Sequence, residues 1–210
     1  MKTTLLLIRH GEVKNPKNIE YVRLPGFPLS ERGKKQILGM AKKIKKKKVE
    51  VIYSSPLLRA RQSAEIFAKE NGIKKSNIYI SKKILEANYK KWEGVKRDER
   101  EKNVIEGYWN NPVKYSAMLG ESVYHIQKRV VDELYKIAET HSGKTIAVFF
   151  HADPIGTARL FFEKRPLLQV TDLETKHASV TSIILDDKLK CKKVEYKEYV
   201  KADGWRKNEQ

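Results

Sequence analysis

Three short apolar runs in this chain each stop at a polar residue and give way to a helix-forming stretch, and this repeated order of strand then helix is what most limits the fold. Residues 5–8 read Leu-Leu-Leu-Ile, residues 51–53 Val-Ile-Tyr and residues 146–150 Ile-Ala-Val-Phe-Phe. Runs of this length without polar alternation are expected of strands buried on both faces. Strands are expected at 3–9, 50–54, 78–81, 145–150, 179–185 and 192–200. Helices are expected at 30–47, 56–70, 95–109, 121–141 and 154–163. Their alternation argues for an α/β fold, a three-layer α/β/α sandwich around a mostly parallel central sheet. In such sheets chemistry gathers outside the carboxyl ends of the strands.

The residues that end these runs are polar and of related types. The first run passes into Arg9-His10-Gly11, and the third ends at His151-Ala152-Asp153-Pro154. Parallel strands would bring His10 and His151 to the same sheet edge. The second run breaks at Ser55-Pro56, an N-cap residue followed by the residue best tolerated at the first helical position. Arg59 then falls in the first turn of a helix, where the dipole disfavours a cation. An anion held jointly by helix N–H groups and the guanidinium would offset that cost. Two histidines and two arginines at one edge suit a tetrahedral dianion. A metal site is the competing reading, but the sequence has no HExxH or CxxC pattern, and neighbouring arginines would repel a cation. No metal is expected.

Six segments in order resemble the histidine phosphatase superfamily, the phosphoglycerate mutase-like group with the Arg-His-Gly signature. They are Arg9-His10-Gly11-Glu12; Leu29-Ser30-Glu31-Arg32-Gly33; Ser54-Ser55-Pro56 through Arg59-Ala60-Arg61-Gln62-Ser63; Glu86 with Trp92-Glu93-Gly94; Gly120-Glu121-Ser122; and His151. The resemblance implies that His10 is a nucleophile that becomes phosphohistidine, and that no cofactor is needed. Arg9, Arg59 and His151 would bind the phosphoryl oxygens. Glu86 would protonate the leaving alkoxide and later activate water. From spacing alone, Glu86 reads as an exposed acid in a Lys-rich loop; its position before Trp92-Glu93-Gly94 is what points to the acid role. Asn15 stands near a family asparagine that touches phosphate, one place early, with Val13 where threonine is commoner. Arg23 resembles part of a loop that closes on substrate, and equally a surface arginine. Ala152 stands where many members carry glycine and could offer its backbone N–H to phosphate. Asp153 departs from the family pattern. It is expected to cap the following helix, with contact to a cationic part of the substrate left open.

The length of 210 residues fits one domain, 1–210. The irregular, aromatic-rich stretch 87–119 is expected to cover the active edge as a lid, although its aromatics could equally form a small satellite core. Cys191 is the single cysteine, which excludes an internal disulfide and suits a reducing cytoplasm. No segment reaches membrane-spanning length, and the apolar start is too short for a signal peptide. The net charge of +18 raises nucleic-acid binding, but the lysines are scattered and lack a recognition motif. A solvated basic face that steers anionic substrates is expected instead. His125, His141 and His177 match no motif and are expected at the surface.

The expected activity is therefore metal-independent hydrolysis of phosphomonoesters, with a small phosphorylated substrate or a phosphoprotein as partner. A mutase-type phosphotransferase ranks second. Its Arg-rich block after the acid is absent here, where Ala87-Asn88-Tyr89-Lys90-Lys91-Trp92 stands instead. A non-catalytic protein binding phosphate or nucleic acid ranks third. Pairing of two chains through the final strand into a homodimer stays open.

Overall fold

In the computed structural model, residues 1–200 are described. The expected domain span of 1–210 includes residues 201–210, which lie outside the described residues. Six strands, β1 (Thr3–Arg9), β2 (Val51–Ser54), β3 (Ile78–Ile80), β4 (Thr145–Phe150), β5 (Val180–Leu185) and β6 (Cys191–Lys197), form one sheet in the order β3-β2-β4-β1-β5-β6. The pairs β2/β3, β2/β4 and β1/β4 are parallel, while β5 runs antiparallel to both β1 and β6.

The two faces of β1 divide the core. Leu5 and Leu7 pack with Ile126, Val130 and Leu134 of α5 (Val123–Thr140) and with Ile155, Ala158 and Phe162 of α6 (Ala152–Glu163). Leu6 and Ile8 pack with Ile37, Met40 and Ile44 of α1 (Glu31–Ile44) and with Ala64, Phe67 and Ala68 of α2 (Leu58–Asn71). This is the expected three-layer sandwich, and it follows from the period of two along a strand buried on both faces.

Several boundaries differ from the sequence reading for local reasons. The expected helix at 95–109 is a 3-10 turn at Arg97–Glu99 followed by α3 (Lys102–Asn110) and α4 (Pro112–Leu119). Asn111 breaks the run by accepting the Lys114 N–H as an N-cap, and Pro112 takes the first helical position. The second helix starts at Leu58 with no side-chain cap; Ser55 stands outside it, and its hydroxyl meets His151 and accepts the Leu57 N–H at 3.4 Å. The helix after β4 starts at Ala152 rather than residue 154, so Asp153 lies in its first turn and is not its N-cap. Tyr89, Trp92 and Tyr108 stack edge-on with centroids 5.6–5.8 Å apart, and they are continuous with the main core rather than a satellite of it. Among the described residues no helix is long and apolar enough to cross a membrane.

Candidate active site

Sheet register places the two histidines side by side. Arg9 of β1 pairs with Phe150 of β4, so the next residue of each strand, His10 and His151, leaves the sheet at the same level. The His10 N–H donates to Phe150 O at 3.1 Å, and the ring centroids lie 5.2 Å apart, edge-on. His10 Nδ1–H donates to Gly11 O at 2.8 Å, which fixes the neutral ring with its lone pair on Nε2. The Arg59 Nε–H donates to that lone pair at 3.2 Å, and Arg59 Nη2 donates to Val22 O at 2.7 Å. Burial first, and then the charges of Arg59 and His151, hold the His10 imidazole well below its ordinary pKa.

Gly11 does not owe its place to an unusual backbone angle, as a flexible turn would require; its φ is not positive. A side chain there would meet the Gly33 carbonyl oxygen, and one on Gly33 would meet the Glu12 carbonyl oxygen. The two motif glycines thus permit the loop after β1 and the start of α1 to touch backbone to backbone. Side chains from the same motifs lock this contact. The Gly11 N–H donates to Ser63 Oγ, the Glu12 N–H to Gln36 Oε1, and the Leu29 N–H to Gln62 Oε1.

His151 is fully buried, and its Nε2 is 2.9 Å from Ser55 Oγ. Its Nδ1 faces Glu86 Oε2 at 3.8 Å. Burial and the charges of Arg59 and Arg9 keep its pKa well below the ordinary value. Glu86 Oε1 accepts the Ala87 N–H at 2.9 Å. Burial and then the nearby Asp153 carboxylate push the Glu86 pKa up to about 7, opposed by Arg59. Asp153 is itself raised, by burial first, with Arg9 opposing. Tyr89 lies close enough to oppose that rise, and its hydroxyl is 2.9 Å from that of Tyr108.

Other expected residues take different places. Arg23 reaches the edge but is engaged: Nε donates to Glu86 O at 2.7 Å, and Nη2 pairs with Glu121 at 2.8 Å. Its backbone N–H donates to Glu93. Asn15 spends its side chain within its own loop, donating to Ile19 O and accepting the Ile19 N–H. Ala152 and Arg9 line a cavity of about 680 Å³ together with Asp153, Tyr108, Trp109 and His177. The reacting edge beside it is closed, with His10 and Arg59 each 1% exposed. The loop over it carries Val22 at φ 27°, rare for a β-branched residue.

The sequence reading missed His177, Arg129 and the hydroxyl of Ser55. His177 is not a surface residue: its ring centroid lies 5.6 Å from that of His10. It precedes β5, and an antiparallel strand begins at the edge where its parallel neighbours end. Treating 179–185 as antiparallel would have placed it. Arg129 donates to Leu85 O and Glu86 O and pairs with Glu121 at 2.7 Å. His141 is half-buried against the Tyr53 hydroxyl, and only His125 of the three is exposed.

Comparison with known proteins agrees with this geometry. The profile of the histidine phosphatase superfamily, branch 1, matches residues 5–196. Phosphoserine phosphatase 1 of Hydrogenobacter thermophilus is 31% identical over 155 residues, 72% of each chain. A 2,3-bisphosphoglycerate-dependent phosphoglycerate mutase of Thermoplasma acidophilum is 28% identical over 85% of each. The solved structure of Bacillus stearothermophilus YhfR superposes with a TM-score of 0.84 at 27% identity, covering 94% of this chain and 98% of that one. With its signature histidine, arginines and second histidine gathered at one sheet edge, this chain belongs to branch 1 of the histidine phosphatase superfamily.

Proposed function

We propose that this protein is a metal-independent phosphomonoester phosphatase working through a phosphohistidine on His10. The observation that carries the reading is the tautomer of His10. Nδ1–H is spent on Gly11 O, and Nε2 offers a lone pair at the point where Arg59 would neutralise an incoming phosphoryl group. Nε2 attacks phosphorus, the bond to the ester oxygen breaks, and the proton of Glu86 goes to the leaving alkoxide. Water then attacks the phosphohistidine, giving its proton back to Glu86 and releasing phosphate from Nε2. Arg9, Arg59 and His151 stabilise charge on the transferring oxygens, the main requirement of phosphoryl transfer. Ala152 adds a backbone N–H at the helix start. Asn15 and Arg23 shape the covering loop, and Arg23 also fixes the backbone of Glu86.

The mutase reading is weaker because residues 87–92 supply Lys90 and Lys91 but no arginine, and both lysines are exposed. Segment 87–119 is read as part of the cover over the site, since Tyr108 and Trp109 line the cavity. On that reading Trp109→Phe abolishes a fluorescence change on vanadate binding; an unaltered change places the cover elsewhere.

The test is hydrolysis of p-nitrophenyl phosphate and a panel of alkyl phosphomonoesters with EDTA present, for wild type and His10→Ala. Activity that survives EDTA and vanishes in the variant is expected, as is a label retained on His10 after quenching with acid-labile chemistry preserved. EDTA-sensitive turnover, or turnover that persists in His10→Ala, overturns the proposal.

A further inference from the structure

Among the described residues a small set of buried side-chain nitrogens has no hydrogen-bond partner, and three belong to residues grouped around His10: Arg9 Nε, His151 Nδ1 and His177 Nε2. Arg9 and His151 already have roles in the proposed reaction. His177 has none, yet it is as closely placed. Its ring lies 5.6 Å from His10, tilted by 48°, while His151 lies at 5.2 Å.

The position is held from the backbone. The N–H of Ala178 donates to Arg9 O at 3.1 Å and to His10 O at 3.4 Å. Arg9 Nη1 donates to Thr175 O at 2.6 Å, and the Lys176 N–H donates to the Tyr196 hydroxyl at 3.1 Å. The residues on both sides of His177 are therefore tied to the end of β1 or to β6, so its backbone is held beside the nucleophile. Burial and the surrounding charges of Arg9, Arg97, Arg32 and Arg59 keep the imidazole neutral. A neutral ring carries one N–H. A buried polar nitrogen without a protein partner calls for a ligand, ion or water to supply the bond, and Arg9 and Arg59 beside it favour an anion.

We propose that His177 binds a phosphoryl oxygen through Nε2–H, completing with Arg9, Arg59 and His151 the donors around His10. This rests on the phosphatase reading of the same site. His177 then shares the charge of the transferring group with the arginines, and it does so without adding a positive charge beside the nucleophile.

The experiment measures orthovanadate binding by calorimetry and kcat/KM for p-nitrophenyl phosphate, for wild type, His177→Ala and His177→Asn, with thermal unfolding of each. The alanine variant should lose roughly ten- to hundredfold in both vanadate affinity and kcat/KM, at an unchanged unfolding midpoint. The asparagine variant, which keeps an N–H donor, should recover most of that loss. Vanadate affinity within twofold of wild type in the alanine variant overturns the proposal. So does a loss that tracks a lowered unfolding midpoint and is not relieved by asparagine, because that is the pattern of a packing role. Wild type that binds vanadate in a His177-dependent way but hydrolyses no ester would sink the phosphatase reading while leaving this one standing. Wild type that binds no vanadate would sink this one.

Discussion

Arg59 Nε lies 3.2 Å from His10 Nε2, so the residue that would bind phosphate also holds the lone pair that would attack it. The guanidinium is fixed on its other side by Val22 O and covered by the Tyr21 ring at 4.7 Å. Its fork geometry cannot be reproduced by an ammonium. Arg59→Lys should therefore lower kcat by about 10²–10³, the cost of one preorganised donor at a developing charge. Steady-state kinetics on a folded variant checks this, and a loss of less than fivefold would mean that Arg59 serves packing alone.

The pH profile should follow Glu86. Burial and Asp153 raise its pKa to about 7, so the protonated acid is present below that pH and is lost as pH rises through it. His10 stays neutral until pH falls well below its ordinary range. For an alkyl phosphomonoester, kcat/KM should hold a plateau below neutrality and fall above about pH 7. With p-nitrophenyl phosphate, whose leaving group needs no proton, the alkaline fall should be weak. Equal alkaline limbs for both substrates would remove Glu86 from the acid role.

Asp153→Asn separates the two causes of that raised pKa. Removing the carboxylate leaves burial acting on Glu86 but takes away the neighbouring negative charge. The alkaline limb for the alkyl ester should move to lower pH. A limb that stays in place would show that Asp153 does not tune Glu86.

The legible parts of this molecule were those set by short-range pattern. Apolar runs gave β1, β2 and β4; the residues ending β1 and β4 gave His10 and His151, because a parallel sheet delivers strand ends to one edge, and the helix start after β2 gave Arg59. What stayed hidden depends on long-range pairing. His177 lies beside His10 only because β5 enters the sheet antiparallel to β1. Asp153 reads as a helix cap until the fold sets it beside Glu86 and Tyr89, both far away in sequence. Ser55 likewise reads as a cap, but the fold brings His151 against its hydroxyl. No local signal carries such partnerships.

Gly33→Ala tests the backbone contact beneath the nucleophile. The added methyl would collide with the Glu12 carbonyl, which no side-chain rotation relieves. The loop after His10 must then move away from α1, breaking the Glu12–Gln36 hydrogen bond and straining the one from Gly11 to Ser63 of α2. Destabilisation of about 1–3 kcal/mol is expected by analogy with overpacking, together with a fall in kcat larger than any change in KM. Denaturant unfolding and kinetics on the same preparation check the pair. An alanine variant with wild-type stability would mean that the contact yields without cost.

Glu121 joins the covering loop to the backbone of Glu86. It accepts from Arg23 at 2.8 Å, from Arg129 at 2.7 Å and from the Asn88 N–H at 2.9 Å. Both arginines also donate to Glu86 O, at 2.7 and 3.1 Å. The Glu121 side chain is 14% exposed, and its pKa is held low by these donors against the opposing effect of burial. Glu121→Ala would remove the carboxylate that both guanidiniums share; with the side chains 14–27% exposed, the cost is about 1–3 kcal/mol, the range for charged hydrogen bonds rather than for a fully buried pair. Because the depressed pKa makes the carboxylate's contribution present above its unfolded value and lost as pH falls through the folded one, wild type and variant should converge in stability at acid pH. Urea unfolding from neutral pH down through the acid range checks this: a difference that never narrows would assign the loss to packing rather than to the ion pairs.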